Sequence, residues 1–191
     1  MVTIRRELVR DAEAREALLD RAFGDARFKK TAERLREGRM PAEGLSFIAA
    51  ENNRVVGTVR LWRICAGPAR SALLLGPLAV DDAWRGLGIG AALMRRATEA
   101  ALPLGHAAVL LVGDAPYYGR FGFTAEKTGA LWLPGPFEQH RLLAKELTPG
   151  ALDGARGLIG AIGRPEPKPN LAALVAGLAR NNDSARAPRA A

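Results

Sequence analysis

The sequence has one cysteine, Cys65, in 191 residues. A single thiol excludes an internal disulfide framework and fits a reducing compartment, so a cytoplasmic protein is expected. Only two histidines stand beside it. The donors of a Cys/His zinc centre are therefore missing, and no metal is expected. No apolar run approaches the ~18 residues that a membrane span requires, so no membrane partner is expected. The opening MVTIRRELVRDAEA lacks the apolar stretch of a secretory leader. Positive charge is abundant but never blocked: the net charge is +8 while aromatic residues make up 6%. Scattered Lys and Arg without interleaved aromatics argue against nucleic acid as a partner. An anionic small ligand would suit the same charge. From Ala151 onward five Arg and one Lys oppose two Asp and one Glu, a net of +3, leaving +5 to residues 1–150.

What is present is an ordinary globular composition, 48% hydrophobic and 25% charged, long enough for one domain with an appendage. Thr3–Val9 can begin a strand. Asp11 then caps a helix running to Phe23, and a second, mostly polar helix is expected over Ala26–Glu37. Leu45–Ala50 and Arg54–Ile64 read as an antiparallel hairpin about Glu51–Asn53. Ser71–Val80 is almost wholly apolar, hence a strand buried on both faces. Gly76-Pro77 interrupts it, which predicts a bulge or an unpaired edge. Gly90–Leu102 reads as a helix and Ala107–Val112 as another buried strand, a unit that requires parallel pairing. One short helix is expected within Gly113–Phe123, and a closing hairpin from Ala130–Leu133 and His140–Leu147. Composition shifts at Thr148-Pro149-Gly150. Residues 1–148 are therefore expected as the domain, and 149–191 as a basic extension with a short amphipathic helix at Leu171, Leu174, Val175 and Leu178.

The chain is organised around Leu73–Gly90, LLLGPLAVDDAWRGLGIG. An apolar strand leads through a short loop into three glycines that open a helix. Amides at a helix N-terminus attract phosphate, and glycine lets it approach the main chain. Arg85 can add a charged fork. A Walker A loop is excluded, because no Gly-Lys-Ser/Thr follows. Gly86, Gly88 and Ala91 formally match a dinucleotide fingerprint. However, Asp81–Arg85 separate strand from glycines, and a hairpin rather than further βαβ units comes before. A nucleotide-binding oxidoreductase is the weaker alternative.

Arg85-Gly86-Leu87-Gly88-Ile89-Gly90 resembles the pyrophosphate loop of the GNAT family of N-acetyltransferases. So does Tyr117-Tyr118-Gly119-Arg120-Phe121-Gly122-Phe123, an aromatic pair followed by x-x-Gly-Phe. The order of elements over residues 1–148 is similar too, and the second motif most resembles the bacterial YhbS-like branch. The resemblance implies an α/β (α+β) fold with a central mixed, mostly antiparallel sheet, splayed beside the glycine-loop helix, with helices on both faces. It implies acetyl-CoA as acyl donor and an amine acceptor whose identity stays open. The pantetheine arm would pair with Leu78, Ala79 and Val80. The pyrophosphate would sit on Arg85, Gly86, Leu87, Gly88, Ile89 and Gly90. An N–H at Leu78 would polarise the thioester carbonyl, and Tyr118 would bind there and protonate the leaving thiolate. A silent acyl-CoA sensor on the same fold is the alternative, and a homodimer is compatible with either.

The strand before the glycine loop carries no acid that could act as general base. Glu51, Asp81, Asp114 and His140 are open on position, with Asp81 and Asp114 also suited to capping. Cys65 could serve as a nucleophile, though a lone thiol more often packs. Trp62, Trp84 and Trp132 could wall the acceptor. The acceptor pocket is expected from Ala12–Glu43 and the loop Leu133–Gln139. Asp20, Asp25, Glu33 and Glu37 in the first segment would suit a polyamine or basic peptide, but the Arg and Lys of the same segment cancel that hint.

Overall fold

In the computed structural model, which describes residues 1–167, eight strands form one sheet with the path β1-β2-β3-β4-β5-β7. The strands are β1 Thr3–Arg6, β2 Ser46–Glu51, β3 Arg54–Ala66, β4 Ser71–Val80, β5 Ala108–Val112, β6 Leu131–Trp132, β7 Leu142–Glu146 and β8 Gly157–Ala161. The helices are α1 Ala12–Phe23, α2 Ile89–Ala101 and the short α3 Ala115–Tyr118. The sheet is antiparallel except at β4–β5 and β6–β8. No helix among the described residues is long and apolar enough to cross a membrane.

Helix α2 lays Leu93, Met94, Ala97 and Ala101 on one sheet face, against Phe47, Val59, Leu61 and Leu73. This is the apolar stripe expected of its sequence, and each fully buried large side chain contributes about 1.5–3 kcal/mol. Gly57 lets the helix approach: a Cβ there would come within 2.9 Å of Leu93 and 3.1 Å of Ile89. On the opposite face α1 packs Leu18 and Leu19 against Ile48, Val55 and Ala79. Farther along that face lie Leu131, Leu133, Leu152 and Ile159.

Three expectations change. Residues 26–37 are not one α-helix but consecutive 3-10 turns, Gly24–Lys29 and Thr31–Leu35. Few apolar residues are available there to hold a regular helix against the sheet, and only Leu35 of the two turns is buried. The closing hairpin does not form. Strand β7 pairs with β5, whereas β6 runs parallel to β8. Finally, the sheet extends past residue 148, because β8 pairs with β3 from Ile64 to Ala66 and buries Ile159. The amphipathic helix expected around Leu171–Leu178 lies outside the described residues.

Candidate active site

The parallel pairing of β4 and β5 is brief: only Leu73 with Val109 and Leu74 with Leu110 are in register. Beyond Leu74, β4 stays bonded to β3 alone. Its register jumps there, Leu78 opposing Val59 and Leu75 opposing Leu61, so Gly76 and Pro77 face one residue, Arg60. This is the bulge the sequence predicts. The buried Trp62 indole donates a 2.6 Å hydrogen bond to the Gly76 carbonyl and holds it. One edge of Leu78–Val80 has no strand partner among the described residues and is open toward β5.

A cavity of about 560 Å³ lies against that edge, bordered by Leu78, Ala79, Val80, Arg85, Gly88 and Gly90 among others. Gly86 and Gly88 both have left-handed backbones, φ 77° and 75°, a region that side chains disfavour. Gly90 has a different reason: a Cβ would stand 3.3 Å from the Tyr117 hydroxyl. Leu87 is exposed and Ile89 buried as the first residue of α2. Arg85 pairs with Asp82 at 2.8 Å. A second cation, Arg120, also borders this cavity and lies 4.5 Å over the Tyr117 ring. Sequence reasoning missed it; its place as the variable residue inside the aromatic motif was the only signal.

A second cavity, about 640 Å³, lies on the other side of the bulge. It is walled by the 3-10 turns and by Leu133, Pro136, Phe137 and Glu138, the two segments expected for an acceptor pocket. The wall is fastened to that loop by Thr31 to the Pro136 carbonyl and by Arg34 to the Pro134 carbonyl at 2.7 Å. Of the four acids that suggested a polyamine, only Glu33 lines it, and Glu33 is paired with Arg36.

The two cavities share Phe23, Leu78, Asp114 and Tyr118. Tyr118 sits where β5 ends, its ring against Gly113: a Cβ there would come 2.1 Å from the ring. It meets Phe123 edge-on at 6.4 Å. Burial, then the neighbouring Tyr117 and Asp114, push its phenol above the ordinary value. It therefore keeps its proton, as an acid must before it acts. The hydroxyl makes no hydrogen bond among the described residues.

The other site candidates separate by position. Asp81 caps the turn Asp82–Trp84 through the Ala83 amide. Burial alone would raise its carboxyl, but that amide, Arg54 and Arg21 outweigh it and hold the group below its usual value. Glu51 binds the N-terminal amine, and His140 faces Glu138 at 3.4 Å while largely exposed. Neither borders either cavity; Asp114 borders both. Cys65 is directed at β8, its Sγ 3.5 Å from the Gly160 carbonyl, far from either cavity's lining. Trp84 lines the first cavity, Trp62 holds the bulge, and Trp132 reaches the acceptor side only through Phe137.

This architecture has close parallels. Residues 42–125 match the family described as "Acetyltransferase (GNAT) domain". The chain is 31% identical to the uncharacterized N-acetyltransferase YhbS of Escherichia coli K12 over 157 residues, covering 82% of this chain and 93% of YhbS. The crystal structure of E. coli YhbS in complex with CoA superposes with a TM-score of 0.71 at 30% identity, covering 84% of this chain and 89% of YhbS. A Brucella melitensis GNAT acetyltransferase in complex with acetyl-CoA shares the fold, with a TM-score of 0.61 at 22% identity over 87% and 94% of the two chains. Bulged strand, glycine loop, parallel unit and aromatic motif thus coincide with an extended sequence likeness, and the chain belongs to the GNAT family of N-acetyltransferases.

Proposed function

We propose that this protein transfers an acetyl group from acetyl-CoA to a primary amine of a small molecule or peptide, by direct attack in a ternary complex. The observation that carries this reading is the meeting of two cavities at Leu78 and Tyr118. Donor and acceptor enter from opposite sides of the bulge and meet beside one N–H and one phenol. The residues of the first cavity fit an acyl-CoA. The free edge of Leu78, Ala79 and Val80 offers backbone groups to the pantetheine amides, as an added strand would find them. The left-handed turns at Gly86 and Gly88 present the amides of Leu87 through Gly90 to a pyrophosphate, with Arg85 and Arg120 supplying charge.

The amine lone pair attacks the thioester carbonyl carbon and forms the C–N bond. The Leu78 N–H stabilises the oxygen on which charge develops. The C–S bond breaks, its electron pair leaves on sulfur, and Tyr118 donates a proton to that sulfur. Burial raises the Tyr118 phenol, so it reaches the developing thiolate with its proton still in place. The nitrogen's surplus proton goes to water or to Asp114, the one of the four proposed bases that borders both cavities.

Release of free thiol from acetyl-CoA in the presence of an amine panel tests the activity. Tyr118→Phe should lower kcat by ~10²-fold while acetyl-CoA affinity holds. An unchanged kcat would remove Tyr118 from the mechanism. Thermal stabilisation by acetyl-CoA and not by NAD is expected. Stabilisation without thiol release for any amine would point instead to an acyl-CoA sensor.

A further inference from the structure

The lining of the acceptor-side cavity is strongly basic. Arg27, Lys29, Lys30, Arg34, Arg36 and Arg141 border it, against the carboxylates of Glu33, Asp114 and Glu138. Ion pairing narrows this excess but leaves Lys29, Lys30 and Arg34 without a carboxylate among the described residues. Arg27 pairs with Glu16 and Asp20, outside the lining, at 2.6 and 2.9 Å. Arg36 takes Glu33 at 2.6 Å and Arg141 approaches Asp114 at 3.3 Å. Glu138 faces His140. Arg34 spends its hydrogen bond on a carbonyl. Lys29 and Lys30 have no carboxylate partner among the described residues.

Three further facts say that these charges face something. The Nε groups of Arg27, Arg36 and Arg141 are buried without a hydrogen-bond partner among the described residues. Sealing Nε from solvent fixes each guanidinium in place and leaves its desolvation only partly offset. Arg36 is 8% exposed, and its Nη1 lies 3.5 Å from where a Cβ on Gly76 would stand. Its charge is therefore held at the bulge, next to the junction of the cavities. Lys30 lies 4.5 Å over the Phe23 ring. Burial, then Arg36 and Arg141, lower its pKa, so the three cations feel one another. Like charges crowded into a cavity repel a cationic ligand and reward an anionic one.

We infer that the acceptor is an amine that also carries an anionic group, a carboxylate or a phosphate, held by the cationic cluster of Lys30, Arg36 and Arg141. This rests on the acyl-transfer reading and narrows it. Polyamines and aminoglycosides are disfavoured. The same positive field favours the neutral form of the attacking amine, as a nearby like charge does for any cation. That lightens the demand for a dedicated base.

The test uses amine pairs that differ in the anionic group: phosphoethanolamine with ethanolamine, L-glutamate with L-glutamine amide, and putrescine as the cationic extreme. Acetyl-CoA turnover is followed in the whole protein. The anionic member of at least one pair should show kcat/KM ~10-fold or more above its partner. The phosphate and carboxylate arms tell the two anions apart. Lys30→Glu should abolish that preference, and Lys30→Gln should reduce it, both with unchanged acetyl-CoA affinity. Equal or better turnover of the neutral and cationic members would overturn the inference while the acetyltransferase reading stands. So would a preference retained in Lys30→Glu. If no amine is acetylated, calorimetry with phosphoethanolamine and with L-glutamate on the CoA-loaded protein decides. Binding lost in Lys30→Glu upholds the anion site though acyl transfer fails, and no binding overturns both.

Discussion

Gly113 shows how a missing side chain can matter as much as one that reacts. The Tyr118 ring occupies the place a Cβ would take, 2.1 Å away. Gly113→Ala should push the phenol out of register, lowering kcat more than it raises KM for acetyl-CoA. Gly119→Ala, where a Cβ meets nothing within 4 Å, is the control and should retain activity. Steady-state kinetics on the two variants checks this. Asp11 offers a residue-scale prediction about stability. Arg5 grips its carboxylate at 2.7 and 2.8 Å, and the Leu8 amide adds a third bond at 2.7 Å. The Arg5 bond comes first among the causes that hold its pKa below the ordinary 3.8; burial opposes it, and the Leu8 amide assists. A depressed carboxyl stabilises the fold above its unfolded pKa and loses that contribution as pH falls through the folded one. Asp11→Asn should therefore cost about 1–2 kcal/mol at neutral pH, and the gap to the parent should close below about pH 4 in urea unfolding curves. Asp11 stands at the N-cap of α1, where the sequence expects it, but its carboxylate makes no cap bond and turns to Arg5 and Leu8 instead; like Gly113, it depends on a partner brought close by the fold.

At the scale of elements, the glycine loop, the bulged strand and the aromatic motif were all legible, because each depends on local backbone chemistry. Proline cannot continue a ladder, and glycines at alternate positions invite left-handed turns. What closes the bulge was not legible. Trp62 reaches Gly76 from the neighbouring strand, and its indole reads equally well as core. Trp62→Phe keeps the ring and loses the bond. It should cost about 1–2 kcal/mol and weaken acetyl-CoA binding, as the Leu78–Val80 edge relaxes toward β5; thermal melts and calorimetry measure the two effects. The polar stretch Ala26–Glu37 reads as a helix in the sequence but folds as 3-10 turns. Its hydrogen bonds to the loop at Pro134–Pro136 replace the apolar face that a helix would have needed. Its charges were countable, but not their direction. The acids turn outward or are paired, and the bases line the cavity.

For the whole molecule, composition places the end of the sheet too early. The shift toward Ala, Gly and Pro after Thr148 suggested an appendage, yet Gly157–Ala161 complete the sheet beside β3 and β6. A five-residue strand with two glycines carries too little pattern to be recognised alone. A chain ending at Thr148 should lose Leu152, Ala155 and Ile159 from the core and melt at least several degrees lower in scanning calorimetry. The brief parallel pairing of β4 and β5 has a further consequence. Two rungs, Leu73–Val109 and Leu74–Leu110, join the leaf β1–β4 to the leaf β5–β7. Below them nothing in the backbone ladder of the described residues binds one leaf to the other. A pantetheine arm lying along Leu78–Val80 would act as the absent rungs. The free protein should then exchange its β5 amide protons sooner than those of β3. Acetyl-CoA should slow exchange on both leaves together, so that the ligand becomes the strand that makes the sheet open as one cooperative unit.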